Sequence, residues 1–414
     1  MKVSCSRITM RFMMNETEGL PKRLRIALVT ETYLPEVNGV AITIGRMVHG
    51  LCERGHDIHL VRPRQHRDDV ATSSVNYRET LVKGMPIPGY PELKSGLPAK
   101  GRLLSLWKEA RPDIVHIATE GPLGWSALAA AKRLEIPVST DFHTNFHSYT
   151  KHYGIGLLKW PIAAYLRHFH NKAACTLVPT DELQKQLAEE GYRNVEVVSR
   201  GVDTQLFNPK RRSAELRASW GADEDTPVVM LVSRLAAEKN LGLAIDAFYK
   251  MREANPDARM VLVGDGPARE RLQKQYPDII FSGMQKGENL AEHYASGDIF
   301  IYPSMTETYG NVTIEAMASG LATVAFDYAA ARQHIVNDSS GVLVPMGDEQ
   351  AFILQAVLLI EDRERITRLR NAAHEAVRLQ GWSHIMNQME SMLFKTLHTE
   401  GISNGQPEFA AATD

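Results

Sequence analysis

The sequence predicts an α/β protein built from two doubly wound domains. Three observations predict it: short β-branched runs alternate with helical segments from residue 25 onward, the alternation comes as two consecutive series, and polar, glycine-bearing loops follow the strands. Parallel strands need a crossover connection, so such alternation builds parallel sheets with helices on both faces. At 414 residues the chain is too long for one ordinary core.

In the first series, residues 25–31 (RIALVTE), 57–61, 113–119 (DIVHIAT), 137–143 and 175–180 read as buried strands. Residues 42–54 and 122–134 carry the 3.6-residue apolar period of helices. The second series begins after a polar stretch and gives strands at 228–233 (VVMLVS), 260–263, 279–282, 299–303 and 323–327. From about 348 to 399 the pattern is nearly all helical. The expected organisation is therefore an extension over 1–24, a first domain over 25–203, a linker over 204–226 and a second domain over 227–380. A helix over 381–399, expected to pack back on the first domain, and a tail over 400–414 complete it.

Composition narrows the function classes. No run of about 18 apolar residues exists to make a transmembrane helix, and the N-terminus lacks the apolar run and cleavage site of a signal peptide. Cys5, Cys52 and Cys175 are far apart and out of metal-ligand spacing, which points to free thiols in a reducing cytoplasm. Residues 1–200 hold 27 Lys+Arg against 20 Asp+Glu, and the rest 20 against 29. The basic first half suits an anionic membrane surface or acceptor, or is simply unevenly solvated. No nucleic-acid partner is expected.

The loops carry the chemistry. Arg234 and Lys239 follow the strand VVMLVS in SRLAAEKN, where a doubly wound domain places its ligand. Two cations there, with the helix start near Asn240, can neutralise a diphosphate; alone they would read as solvated loop charges. Gly264 and Gly266 in MVLVGDGPARE form a G-x-G without the third glycine, either a tight turn or a place where backbone approaches a ligand. The segment PSMTETYGNVTIEAMASG puts Glu307 in a loop, Gly310 at a turn, and Glu315 inside the following helix. Gly310 and the amides of Asn311, Val312 and Thr313 make a helix N-terminus, the ordinary anion cradle. Asn38-Gly39 precedes the first helix, either as an ordinary βα loop or as a turn that lets backbone approach a phosphate. His143 ends the strand in STDFHTNFHSY, either as a structural histidine or as an acid–base group, with His147 a lesser candidate; HTNFH lacks the glutamate of a zinc-protease motif. Asp223-Glu224-Asp225 is a D-x-D in a linker rather than after a strand, a poor metal site.

Taken together, ETYGNVTIEAMASG, SRLAAEKN, VGDGP and TETYLPEVNGV resemble the retaining glycosyltransferases of GT-B fold, specifically family 4, over residues 24–395. The resemblance implies two Rossmann-like domains facing across a cleft. It implies that Arg234 and Lys239 bind the donor diphosphate, Glu307 the transferred sugar and Glu315 the ribose. Backbone of Gly310 to Thr313 would meet phosphate and sugar, 281–286 with Met284 the base, and Gly39 the donor from the first domain. His143 would contact the sugar. Metal is then unnecessary, no cofactor is tightly bound, and the donor is a nucleotide sugar, with GDP-mannose favoured. Residues 153–175 mix apolar, aromatic and basic residues, as an interfacial helix or an ordinary packed one would. With relatives that act on lipids, this implies a lipid acceptor and a peripheral position on the cytoplasmic face. Alternatives are a UDP-sugar-dependent diacylglycerol glycosyltransferase and a non-catalytic nucleotide-sugar sensor. Epimerase and phosphorylase readings match less well.

Overall fold

The computed structural model describes residues 23–36, 38–87, 90–143 and 159–403. His147, the start of the 153–175 segment and the tail beyond 403 lie outside them. Among the described residues the early strands are β1 (Arg25–Val29), β2 (Asp57–Pro63), β3 (Ser73–Ser74), β4 (Tyr77–Val82), β5 (Gly84–Ile87), β6 (Tyr90–Gly96), β7 (Ile114–Ile117), β8 (Val138–Asp141), β9 (Cys175–Val178) and β10 (Val195–Val197). The later ones are β11 (Val228–Val232), β12 (Arg259–Val263), β13 (Ile280–Gly283), β14 (Ile299–Tyr302), β15 (Ala322–Phe326) and β16 (Val342–Val344).

One sheet runs β10-β9-β8-β7-β1-β2-β4-β3 and another β13-β12-β11-β14-β15-β16, with β5 and β6 forming a separate antiparallel pair. Every pair in the six-stranded sheet is parallel. These are two Rossmann-like α/β domains with parallel sheets. The strands expected from the sequence form within a residue or two of their expected bounds. The short β3, β10 and β16 and the partly polar β4 to β6 carry too little apolar pattern to be read in advance.

Helices α1 (Gly39–Glu53), α2 (Lys100–Glu109), α3 (Pro122–Arg133), α4 (Lys159–His170) and α5 (Asp181–Glu189) belong to the first series. The second has α6 (Ala214–Ser219), α7 (Leu241–Ala254), α8 (Arg269–Gln275), α9 (Gly287–Ser296), α10 (Asn311–Ala318) and α11 (Ala329–His334). Helices α12 (Glu349–Ile360), α13 (Arg363–Val377) and α14 (Trp382–Ser403) close the chain. Their starts follow local chemistry. Asn38 accepts from the Ala41 amide, Thr180 from Leu183, Asp348 from Ala351 and Asp362 from Arg365, each satisfying an amide the helix leaves open. Polar residues 204–226 include α6, and Phe207, Trp220 and Ala222 there are buried. Leu24 is fully buried, and its amide donates to His56 Nδ1 at 3.1 Å.

Strand alternation divides the core of the second series. Val229 and Leu231 pack with Phe248, Met251 and Phe352 on one face. Val228, Met230 and Val232 pack with Tyr294, Ile314 and Met317 on the other. Burial of both faces is why β11 reads as a continuous apolar run.

The described residues group into two compact units. One takes residues up to Asp141, Asn171–Thr176 and the chain from Met389; the other takes Phe142–His170 and Leu177–Gln388. The second unit reaches back to His143 because Thr308, Tyr309, Arg332 and Gln333 hydrogen-bond to His143, Arg200, Glu182 and Ser199. In the first unit, His56 Nε2 meets Glu390 of α14 at 2.9 Å.

Candidate active site

In the six-stranded sheet β11 lies between β12 and β14, so strand order reverses there. Such a switch point opens a crevice at the carboxyl ends of the two strands. Lys239 lies in the loop after β11 and Glu307 in the loop after β14. The structure joins them: Lys239 Nζ donates to Glu307 Oε1 as an ion pair whose side chains are 17% and 15% exposed.

Two further donors converge on the same oxygen, Tyr302 OH at 2.6 Å and Ser304 Oγ at 2.6 Å. Tyr328 OH donates to the Glu307 carbonyl at 2.7 Å, holding the loop from the next βα unit. Burial works against a charged Glu307, but the Lys239 charge and the three hydrogen bonds outweigh it and hold the carboxyl below its ordinary range. Burial and the neighbouring carboxylate push the Tyr302 phenol well up, so it stays protonated as a donor.

Arg234 stands closer to solvent, its side chain 49% exposed, with Nη1 3.8 Å from Glu238. Its loop is tied to the glycine turn. Leu235 N donates to Asp265 O at 2.9 Å, Ala268 N to Leu235 O at 2.9 Å, and Gly264 N to Gly283 O at 2.8 Å. A Cβ at Gly264 (φ 135°) would sit 1.9 Å from Ser233 O. One at Gly266 would lie 2.5 Å from Leu235 O. The glycines thus allow three loops to close on one another, and Met284, 49% exposed, leads on from the third. The sequence offered a tight turn or a ligand approach at these glycines, and the tight turn is present.

Gly310 takes φ 92° and ψ 61° and caps α10 without a side-chain bond. The Thr313 amide bonds to Gly310 O at 3.0 Å, so the cradle's outward amides come from Asn311 and Val312. Asn311 Oδ1 and Asn240 Nδ2, at the starts of α10 and α7, are buried with no hydrogen-bond partner. Unsatisfied polar atoms of this kind are rare inside folded proteins and suit a ligand site. Glu315, one turn into α10, accepts from Tyr294 OH at 3.1 Å. Burial pushes its carboxyl up to about 7, only partly offset by that hydrogen bond.

His143 lies two residues beyond β8 and is 7% exposed. Thr308 Oγ1 donates to its carbonyl at 2.9 Å and Arg200 Nη2 meets its Nδ1 at 2.5 Å. Gly39, the first residue of α1, belongs to the other compact unit. Sequence reasoning did not single out Tyr302, Ser304, Tyr328, Tyr294, Arg200 or Tyr309. Tyr302 and Ser304 had a readable signal, lying five and three residues before Glu307; Tyr294 and Arg200 come from distant segments and had none.

The D-x-D has other partners. Asp223 accepts from the Asp225 amide and from Thr226, and Asp225 pairs with Arg363. Among the described residues no group of three or more His, Cys, Asp or Glu side chains is placed to hold a metal ion. Cys52 and Cys175 are free thiols. No described helix is long and apolar enough to cross a membrane.

Residues 37–206 match the family model Glycosyltransferase Family 4, and residues 212–376 match Glycosyl transferases group 1. The chain is 33% identical over 373 residues to a GDP-mannose-dependent alpha-mannosyltransferase of Mycobacterium tuberculosis (strain CDC 1551 / Oshkosh), covering 88% of this chain and 95% of that protein. It is 31% identical over 377 residues to sulfoquinovosyl transferase SQD2 of Arabidopsis thaliana, covering 89% of this chain and 72% of that one. Among solved structures, a sucrose-phosphate synthase from Thermosynechococcus elongatus superposes with a TM-score of 0.73 at 19% identity, covering 91% of this chain and all of that one. HepE of Anabaena in complex with UDP-glucose superposes at 0.68 with 18% identity, over 89% of this chain and 99% of that one. These two likenesses concern the fold, which is GT-B. The chain belongs to glycosyltransferase family 4 and is a glycosyltransferase.

Proposed function

We propose that this enzyme moves a hexose, with retention, from a nucleotide-diphosphate sugar to a hydroxyl of a membrane lipid, with GDP-mannose as the favoured donor. The observation that carries the site is the Lys239–Glu307 pair astride the switch point of the six-stranded sheet. Arg234 and Lys239 neutralise the diphosphate. An ammonium has three donors, so Lys239 can hold Glu307 and a phosphate oxygen together. Asn311 and Val312 amides add donors at the α10 start, Gly264 and Gly266 keep the neighbouring loops closed, and Glu315 accepts from the ribose. Residues 281–286 with Met284 meet the base. Glu307 orients the transferred sugar, as does His143.

In this reading residues 25–203 are the acceptor side and 227–380 the donor side. The charge that develops on the leaving diphosphate is stabilised by cations already in place, which needs no metal. The acceptor hydroxyl attacks from the face the diphosphate leaves, and a phosphate oxygen takes its proton. The protein supplies position and electrostatics.

GDP-mannose is favoured by the name of the mycobacterial relative, which covers nearly its full length here. The lipid acceptor is supported by relatives named for diacylglycerol glucosylation and by α4. That helix buries Leu166 and Phe169 and exposes Trp160 at 82% and Tyr165 at 43% beside Arg167. An aromatic and basic outer face suits the anionic cytoplasmic surface of a membrane, which is where we place the enzyme. A second reading, a UDP-sugar-dependent diacylglycerol glycosyltransferase, rests on the same relatives.

Labelled GDP-mannose, UDP-glucose and UDP-galactose, each incubated with lipid extract with and without EDTA, test these readings. Lipid-bound label from GDP-mannose, unaffected by EDTA and of α configuration by NMR, is the expected result. Label from a UDP-sugar alone selects the second reading. Donor binding without turnover or hydrolysis would make the chain a sensor.

A further inference from the structure

The residue that sets the chemistry of His143 lies 57 positions away in sequence. Arg200 is 8% exposed, and its Nη2 meets His143 Nδ1. A guanidinium has N–H donors only, has no acceptor, and does not lose its proton in a protein. The bond therefore has one possible polarity: Arg200 donates and Nδ1 accepts through its lone pair. A neutral imidazole with a bare Nδ1 carries its proton on Nε2.

Arg200 is itself fixed by the loop that holds Glu307. Tyr309 OH donates to the Arg200 carbonyl at 3.1 Å. A phenol has a single proton, so the 2.7 Å contact between Tyr309 OH and His334 Nε2 must be donated by His334. Burial pushes His334 down to about 4, which keeps that ring neutral and suited to this single donation. Thr308, between Glu307 and Tyr309, caps the His143 carbonyl. One loop thus fixes the backbone of His143 directly and its ring through Arg200.

We propose that Arg200 is a positioning residue that locks His143 in the Nε2–H tautomer, making it a hydrogen-bond donor to the reacting sugar and unavailable as a base. As a base His143 would need a bare Nε2, and its Nδ1–H would then point at a guanidinium N–H. An imidazolium would bring two like-charged donors together. The inference rests on His143 lying in the sugar site, as proposed above. It goes further by fixing which way its hydrogen bond runs and which residue enforces that.

The tautomer can be read without turnover. In protein labelled with 15N-histidine, two-bond 15N–1H correlation spectra distinguish Nδ1–H from Nε2–H rings, and H143Q identifies the His143 signals. Wild-type protein should show a bare Nδ1 and a protonated Nε2. R200M should move His143 toward mixed tautomers and lower kcat by about tenfold, the scale of one misdirected hydrogen bond, with KM for the nucleotide sugar little changed. R200K, which can still donate to Nδ1, should restore the wild-type signature and most of kcat. A protonated Nδ1 in the wild type overturns the inference. So does R200M with an unchanged His143 spectrum, whatever its activity, since Arg200 would then be structural only. Failure of the underlying site reading looks different: H143A would keep full turnover while the wild-type spectrum still showed Nε2–H.

Discussion

Lys239 and Glu307 are 68 positions apart in sequence and form a nearly buried ion pair. They sit on loops from two strands that are neighbours in the sheet and belong to different βα units. With Tyr302 and Ser304 on the same Glu307 oxygen, the pair is a preassembled charge centre. It needs little rearrangement when a charged ligand arrives, which is the condition for electrostatic stabilisation to lower a barrier.

Removing either partner should therefore separate activity from fold. K239A is expected to lower turnover by about two to three orders of magnitude. It should also cost about 3 kcal/mol of stability, because a buried carboxylate loses its cation. E307Q keeps the shape and accepts the same donors, so it should lose turnover with a smaller stability loss. Steady-state kinetics and thermal unfolding read both; near-normal turnover in K239A or E307Q would remove the pair from the site.

The two carboxylates should titrate in opposite senses. Glu307 is held below its ordinary range, so its contribution to stability is full above the ordinary carboxylate value and is lost as pH falls through its folded value. Glu315 is pushed from 4.5 to about 7, so the folded chain holds a proton there that the unfolded chain has released. Stability should thus fall as pH rises through that window, and E315Q should flatten the fall. Denaturant midpoints across the window decide this.

Donor affinity should follow the same ionisation. If Glu315 accepts from a ribose, nucleotide binding should tighten as pH rises through about 7 and be flat in E315Q. Y294F removes the hydrogen bond that opposes the upward shift, so it should move the transition to higher pH. Calorimetric titration of the nucleotide at several pH values is the measurement. A pH-independent affinity in the wild type would place Glu315 outside the ribose site.

Gly264 offers a test of loop closure. An alanine there meets Ser233 O at a distance no packing tolerates and takes a φ of 135°, so G264A must displace the Arg234 loop. Loss of about 2 kcal/mol or more is expected, with weakened nucleotide binding. G242A, at an exposed helix position where an added Cβ meets nothing, should weaken neither.

Much of this was legible in the sequence. β11 is apolar on both faces, so its run reads plainly as a buried strand. Gly310 and Glu315 could be placed because strand, turn and helix follow in one short segment, and Arg234 and Lys239 because they directly follow a strand. What could not be read depends on long-range approach. Tyr294 reaches Glu315 from α9, Tyr328 reaches the Glu307 carbonyl from the next unit, and Arg200 reaches His143 from after β10. A local pattern carries no term for such contacts.

The sequence by itself determined the class of fold, the order of its elements and the loops that hold the chemistry, because hydrophobic period and turn residues are local properties. The tertiary structure alone decided that Lys239 pairs with Glu307, that Glu315 is pushed up to about 7 while Glu307 is held down, and that Arg200 faces the ring of His143. Charge state and tautomer depend on burial and on partners brought in by chain closure. Two glutamates eight positions apart thus have one residue type and opposite electrostatic character.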